Sequence, residues 1–201
     1  MNRILVAYTT MSGSTVEVAQ AIGDEITGDG VEVEVLPLEK VTDLTPYSAV
    51  VIGAPMIVGW HRSAIKFLKQ HRKTLENTPL AIFATAMSLT SSGESAISGI
   101  PVCADPILAK SPQNPQRLTF RENHTSIRRY AAPMLHAAGN NKPVSVAFFG
   151  GRLDYTRLKP LPRLFVMLVV QAQPGDRRNW QAIRAWAGSL PGLFNAHSSR
   201  N

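Results

Sequence analysis

An α/β architecture, with a largely parallel sheet covered by helices on both faces, is the fold class that this 201-residue sequence predicts. Three observations point to it. Runs that are apolar at every position recur at 4–8, 49–52 and 80–84, as in strands buried on both faces. Segments with helical apolar spacing lie between them, so strands and helices alternate through the first 86 residues with short connections. A turn dense in hydroxyls joins the first such run to the first helical segment, at the strand end where sheets of this kind take their ligands.

The elements follow in order. Residues 4–8 form the first strand, and a helix over 15–27 follows, with Val16, Ala19, Ile22 and Ile26 facing inward and Gly28 and Gly30 ending it. Val31, Val33 and Val35 alternate with glutamates, which suits a strand with one wet face near a sheet edge. Residues 49–53 read as a central strand. The helix expected over 62–75 turns Ile65, Leu68 and Phe67 inward and Lys66, Lys69, Arg72 and Lys73 outward. Residues 80–84 form the next buried strand. The segment 87–124 is rich in Ser, Pro, Thr and Gly without sustained periodicity, and an insertion of that length inside a compact unit is usually functional, disordered, or partly structured in ways the sequence does not display. A helix over 125–138, a last strand over 144–149 and a closing helix over 177–190, with Trp180, Ile183, Ala187 and Leu190 on one face, complete the pattern.

Composition bounds the partners. Apolar residues make up 44% of the chain, which excludes a disordered tail. The single cysteine, Cys103, excludes an internal disulfide framework and reads as a bystander thiol. With no secretory signal in evidence, a cytoplasmic protein is expected. The formal charge is +7, unevenly spread: residues 1–45 carry two bases and eight acids, the remainder 19 bases and six acids. The acids of the first 45 residues are expected on solvent faces away from the hydroxyl-rich turn. The bases leave nucleic acid, an anionic membrane surface and an anionic small molecule open as partners, and their placement beside an apolar run favours an anionic substrate or a membrane-linked quinone. Within 152–176 an apolar run, 164–170, lies among arginines. A buried helix, a homodimer seam through 161–172 and a peripheral membrane contact are the readings open there. No nucleic acid is expected, because aromatic platforms between the bases are missing.

The strongest chemical signal is the turn Thr9, Thr10, Met11, Ser12, Gly13, Ser14 and Thr15. Four hydroxyls besides that of Ser14, a glycine for a tight turn and the free amides of a helix start make a neutral cradle suited to a phosphate. The turn is neither a Walker loop nor a dinucleotide fingerprint. Alternatively, Ser14 and Glu17 form a capping box and nothing binds. The histidines His61, His71, His124, His136 and His197 show no metal-ligand spacing, so no metal is expected, and no G-x-S-x-G nucleophile elbow occurs.

The pattern Thr10-x-Ser12-Gly13-x-Thr15 resembles the flavin phosphate loop of the flavodoxin-like family. The strand of residues 50–53 followed by Gly59 resembles the strand and loop at the flavin edge. Residues 149–154, 174–186 and 61–64 are similar to the branch related to menaquinone-dependent protoporphyrinogen oxidases. The resemblance implies a three-layer flavodoxin-like sandwich spanning 1–201, with a five-stranded parallel sheet in the order 2-1-3-4-5 and a long insertion after strand 4. It implies noncovalent flavin mononucleotide (FMN), with the phosphate on residues 10–15. The ring would lie between Pro55, Met56, Ile57, Val58, Gly59 and Trp60 on one side and Thr85, Ala86, Met87, Ser88, Leu89, Thr90 and Ser91 on the other. Ser88, Thr90 and Ser91 are the side-chain donors expected at the ring's polar edge. Trp60 is the nearest aromatic to stack on the ring, where many relatives carry a tyrosine, and packing at a helix start is its other reading. His61 could relay a proton or cap a helix.

The function implied is an FMN-dependent oxidoreductase oxidising a reduced organic substrate, with a protoporphyrinogen-type tetrapyrrole and a quinone acceptor as the leading example. Arg152 or Arg157 near the ring would stabilise a reduced, anionic flavin. A flavin-free binding or regulatory module and a flavodoxin-type electron carrier are the alternatives. No catalytic acid or base is assigned.

Overall fold

The computed structural model describes residues 2–56, 59–153 and 175–199. In chain order its elements are β1 (Asn2–Tyr8), α1 (Ser14–Ile26), β2 (Val31–Pro37), β3 (Ala49–Pro55), α2 (Arg62–Gln70), α3 (Arg72–Leu75) and β4 (Leu80–Ala86). The insertion then contributes β5 (Leu89–Thr90), β6 (Ala96–Ile97), β7 (Ile100–Ala104), β8 (Ala109–Lys110) and α4 (Phe120–His124). The chain closes with α5 (Ile127–Ala138), β9 (Ser145–Gly150), β10 (Arg152–Leu153), β11 (Gly175–Asp176) and α6 (Trp180–Ser198).

The main sheet runs β2-β1-β3-β4-β9-β7-β6. Every neighbouring pair is parallel except β6 with β7. The expected count of five is therefore corrected to seven. The two additional strands come from the insertion: Val102, Cys103 and Ala104 pair with Val146, Ala147 and Phe148, so β7 takes the edge of β9 that a five-stranded sheet would leave open. Register aligns the carboxyl ends at which the loops emerge, with Tyr8 beside Gly53, Pro55 beside Thr85, and Ala86 beside Gly150.

Alternating side chains divide the core into two layers. Leu5, Val50, Ile52, Ile82 and Phe148 face Leu68, Ile127 and Met134 from α2 and α5. Val6, Val51, Phe83 and Phe149 face Val18, Ile22, Ile183 and Trp186 from α1 and α6. Phe83, Phe148 and Phe149 are fully buried, each worth about 1.5–3 kcal/mol relative to exposure.

Helix ends depart from expectation for local reasons. α1 buries Val18 rather than Val16, because Val18, Ile22 and Ile26 stand four residues apart on one face while Val16 lies to its side. The helix expected over 62–75 is divided at His71, the C-cap of α2. Thr125 caps the end of α4, so α5 starts only after Ser126, whose hydroxyl accepts from the Arg129 amide. α6 starts at Trp180 because Asn179 caps it, which leaves Trp180 37% exposed; the inward stripe is Ile183, Trp186, Ala187, Leu190 and Phe194. Among the described residues no helix is long and apolar enough to cross a membrane. Ile57 and Val58, Arg157 and the whole of 161–172 lie outside the described residues.

Candidate functional site

The loops after β1, β3 and β4 gather around Thr85. The Thr15 hydroxyl, in the first turn of α1, meets that of Thr85 at 3.0 Å, and both residues are buried. The Met56 amide donates to the Thr85 carbonyl at 2.8 Å, and the Thr9 amide to the Gly53 carbonyl at 3.0 Å. These bonds fix the starts of all three loops on central strands, where side-chain and backbone positions are set by the core.

The turn of residues 9–15 leads into α1 through Gly13, which has φ 88°, a conformation that disfavours any residue with a Cβ. No side chain caps the helix, so the Ser14–Glu17 capping box does not form. The Gly13 amide donates to Thr10 Oγ1 at 2.9 Å, which leaves the Thr10 hydroxyl proton free to point outward. Ser12 reaches the Arg152 carbonyl only at 3.5 Å, a weak bond on a half-buried side chain. Met11 is exposed, and Ser14 is buried beneath the turn. The donor set of uncapped helix amides with the Thr10 and Ser12 hydroxyls fits a flavin phosphate.

Glu17 sits in the first turn of α1, where its carboxylate alone would oppose an anion. It is compensated: Arg152 Nη2 lies 3.0 Å from it, and Arg178 binds it as well. The Arg178 side chain is only 5% exposed. It holds Asp176 with two further bonds and lies over the Trp180 ring, 4.6 Å from its centroid. Hydrogen bonds from Arg178 hold the Asp176 carboxyl below its ordinary range. Arg184 also approaches Glu25, at 3.8 Å. The expectation that the N-terminal acids lie away from the turn is thus corrected for Glu17. Two of the eight N-terminal acids, Glu17 and Glu25, are met by bases of the C-terminal part, because α1 packs beside α6 and near the paired β10 and β11. Arg152 is accordingly one half of an ion pair rather than a free charge.

The ring-side candidates divide. Ala86 and Met87 engage the C-terminal segment: the Ala86 carbonyl accepts from the Gly151 amide at 2.8 Å, and that of Met87 from Arg177 Nη1 at 2.8 Å. The Tyr130 hydroxyl is pushed up to about 12, mainly by burial, with Ser88 acting in the opposite direction. Thr90 Oγ1 lies 2.8 Å from Thr125 Oγ1, and Ser91 Oγ donates to Glu94 at 3.1 Å. Two of the three hydroxyls expected at the ring edge, those of Thr90 and Ser91, are thus engaged with protein partners in or next to the insertion, and Leu89 is a core residue. Pro55 and Met56 are buried, and Gly59 turns with φ 117°. Trp60 is 2% exposed and part of the core, which places it where the packing reading had it; its Nε1 is buried without a partner. His61 Nδ1 accepts from the Ser63 amide at 3.3 Å as the cap of α2, and burial holds its imidazole below the ordinary value.

Sequence reasoning missed Arg177 and Arg178 as parts of the site, although the likeness over 174–186 passed through them. It also missed Asp105, fully buried, which accepts from the Gly150 and Ile107 amides and from Asn179 Nδ2. The half-buried Cys103 thiol is pushed up by burial and by Asp105, which makes it less reactive. Among the described residues no group of three or more His, Cys, Asp or Glu could hold a metal ion.

Comparison with known proteins adds the following. The family model described as flavodoxin domain matches residues 5–179. No curated protein matches the chain. Among solved structures, an oxidoreductase from Corynebacterium diphtheriae superposes with a TM-score of 0.52 at 14% identity, covering 98% of each chain. The flavodiiron protein from Giardia intestinalis gives 0.49 at 14% identity; the match covers all of this chain but 38% of that one. A flavodoxin from Streptococcus pneumonia TIGR4 gives 0.49 at 8% identity, covering 96% of this chain and 99% of its own.

Proposed function

The chain belongs to the flavodoxin domain family, and on that premise we propose that it is a redox protein that holds FMN noncovalently on the turn before α1. The observation that carries this reading is the start of α1 at Gly13, capped by no side chain and opening at the carboxyl end of a central strand. When bound, the flavin supplies the electron chemistry. The chain's own part is to bind and to tune. The first amides of α1 with Thr10 and Ser12 take the phosphate, while Arg152 and Arg178 neutralise Glu17 beside it. Arg177, bonded to the Met87 carbonyl, keeps a positive charge at the loop after β4. That charge favours a reduced flavin bearing negative charge.

On the substrate side we propose oxidation of a reduced organic molecule rather than shuttling of low-potential electrons. A protoporphyrinogen-type tetrapyrrole with a quinone acceptor is the example offered by the resemblance of residues 149–154 and 174–186. The basic balance of the chain and the position of Arg177 support this reading.

A visible spectrum of the purified protein tests the first part. The two absorption bands of oxidised flavin, present as isolated or after reconstitution with FMN, are expected; a colourless protein that cannot be reconstituted would instead favour a binding module. Redox titration and turnover with tetrapyrroles and quinones test the second. A reduction potential as negative as that of low-potential carriers, without turnover, would make the protein an electron carrier.

A further inference from the structure

A further concavity, open to solvent and lined by none of residues 9–15, is formed by the described residues. It lies between the insertion and the start of α5, has a volume of about 370 Å³, and includes Thr90, Glu94, Pro115, Leu118, Arg128, Arg129 and Ala132 in its walls. That volume is at the lower end of small-molecule sites, roughly 300–1,000 Å³.

Its chemistry is asymmetric. Pro115, Leu118 and Ala132 supply apolar lining, and Arg128 and Arg129, both exposed, belong to the same lining and pair with no carboxylate among the described residues. Glu94 is the single acid in the lining, and its carboxylate is already served by the Ser91 hydroxyl at 3.1 Å and the Ser92 amide at 2.7 Å. The positive end of the 12-residue helix α5, with no acid in its first turn, adds to the same sign. Thr90 is bonded to Thr125 through both its amide, at 2.9 Å, and its hydroxyl, which ties β5 to the segment just before α5. Two arginines without a carboxylate partner, beside an apolar patch in one concavity, suit a carboxylate carried on an apolar body.

We propose that this cavity binds a small organic anion, its carboxylate on Arg128 and Arg129 and its apolar part against Pro115, Leu118 and Ala132. The proposal concerns binding alone and stands whether or not the flavin is held.

Calorimetric titration of the full chain at low ionic strength with 1-naphthoate, and with the uncharged 1-naphthalenemethanol, tests it. Saturable naphthoate binding at one site is expected, with the alcohol at least about tenfold weaker. Arg128→Gln/Arg129→Gln should weaken naphthoate at least about tenfold. Ala132→Trp, at an exposed helix position, should block it by filling the cavity. FMN affinity, followed by flavin fluorescence, should be unchanged in both variants. Absence of naphthoate binding, equal binding of the alcohol, undiminished binding in the variants, or parallel loss of FMN would each overturn the proposal. Gly13→Glu separates the two sites from the other side, since it should remove FMN and spare naphthoate.

Discussion

Arg152 reaches Glu17 at 3.0 Å across 135 positions of sequence, and so ties the β10–β11 hairpin to the first turn of α1. The pair stands beside the proposed phosphate site, so its two halves should act oppositely on FMN. Glu17→Gln removes a like charge and releases two guanidiniums, and FMN should bind more tightly. Arg152→Gln leaves Glu17 less compensated, and FMN should bind more weakly. Partly exposed pairs of this kind are worth about 0.2–1 kcal/mol, so each shift should be up to about fivefold in Kd, read by flavin fluorescence and shrinking with salt.

Gly13 separates backbone strain from charge. Gly13→Ala forces a Cβ into φ 88°, costs roughly 1 kcal/mol and should weaken FMN retention modestly. Gly13→Glu adds a carboxylate at the same place and should abolish retention. Equal retention in the two variants would show that the phosphate lies elsewhere.

Arg177 is expected to set potential rather than affinity. Arg177→Gln removes the charge held at the Met87 carbonyl. The flavin midpoint should move more negative, on the order of tens of millivolts. An unchanged midpoint in spectroelectrochemical titration would remove Arg177 from the tuning role.

The centre of the sheet has a steric lock. A Cβ on Gly53 would stand 1.9 Å from an atom of the fully buried Phe83 ring. Gly53→Ala should therefore cost about 1–3 kcal/mol of stability in denaturant melts. Added Phe83→Leu should recover part of that loss, a coupling visible only in the double variant.

The histidine at the start of α2 should leave a mark on acid stability. Burial holds the imidazole of His61 below its ordinary value of 6.5. The unfolded chain then takes up the proton first as pH falls. Stability is full above 6.5 and declines as pH drops through it toward the folded value. Protonation would also turn Nδ1 from the acceptor of the Ser63 amide into a donor and open the cap. His71, lowered chiefly by burial, acts in the same direction. The fall in Tm between about pH 7 and pH 5.5 should be smaller in His61→Asn, which can cap without titrating.

The parts of the fold legible in sequence were those governed by local pattern. β1, β3 and β4 announce themselves because strands buried on both faces must be apolar throughout, and Gly13 because a tight turn before a helix demands it. β7 did not: Pro101 looks like a breaker, and the strand exists because β9 offers an edge to Val102, Cys103 and Ala104. The hydroxyls of Thr90 and Ser91 were visible as donors, but composition cannot tell a ligand from Thr125 or Glu94 as the partner. An indole at a loop end reads equally as a stacking ring or as core, and only packing decided Trp60. The hairpin joining Arg152 to Asp176 spans too many residues for any local pattern to reveal it.

Asp105 bears on how such a chain could be trimmed or diversified. One buried carboxylate on the inserted segment serves the backbone at the end of β9 and the asparagine that caps α6. Excising the segment would strand both donors and reopen the edge of β9, so the insertion and the sheet depend on one another. A shortened variant would need replacement acceptors for the Gly150 amide and for Asn179. Variation is therefore more readily accommodated at the exposed rim around Ile107 and Phe120 than at the root that Asp105 secures.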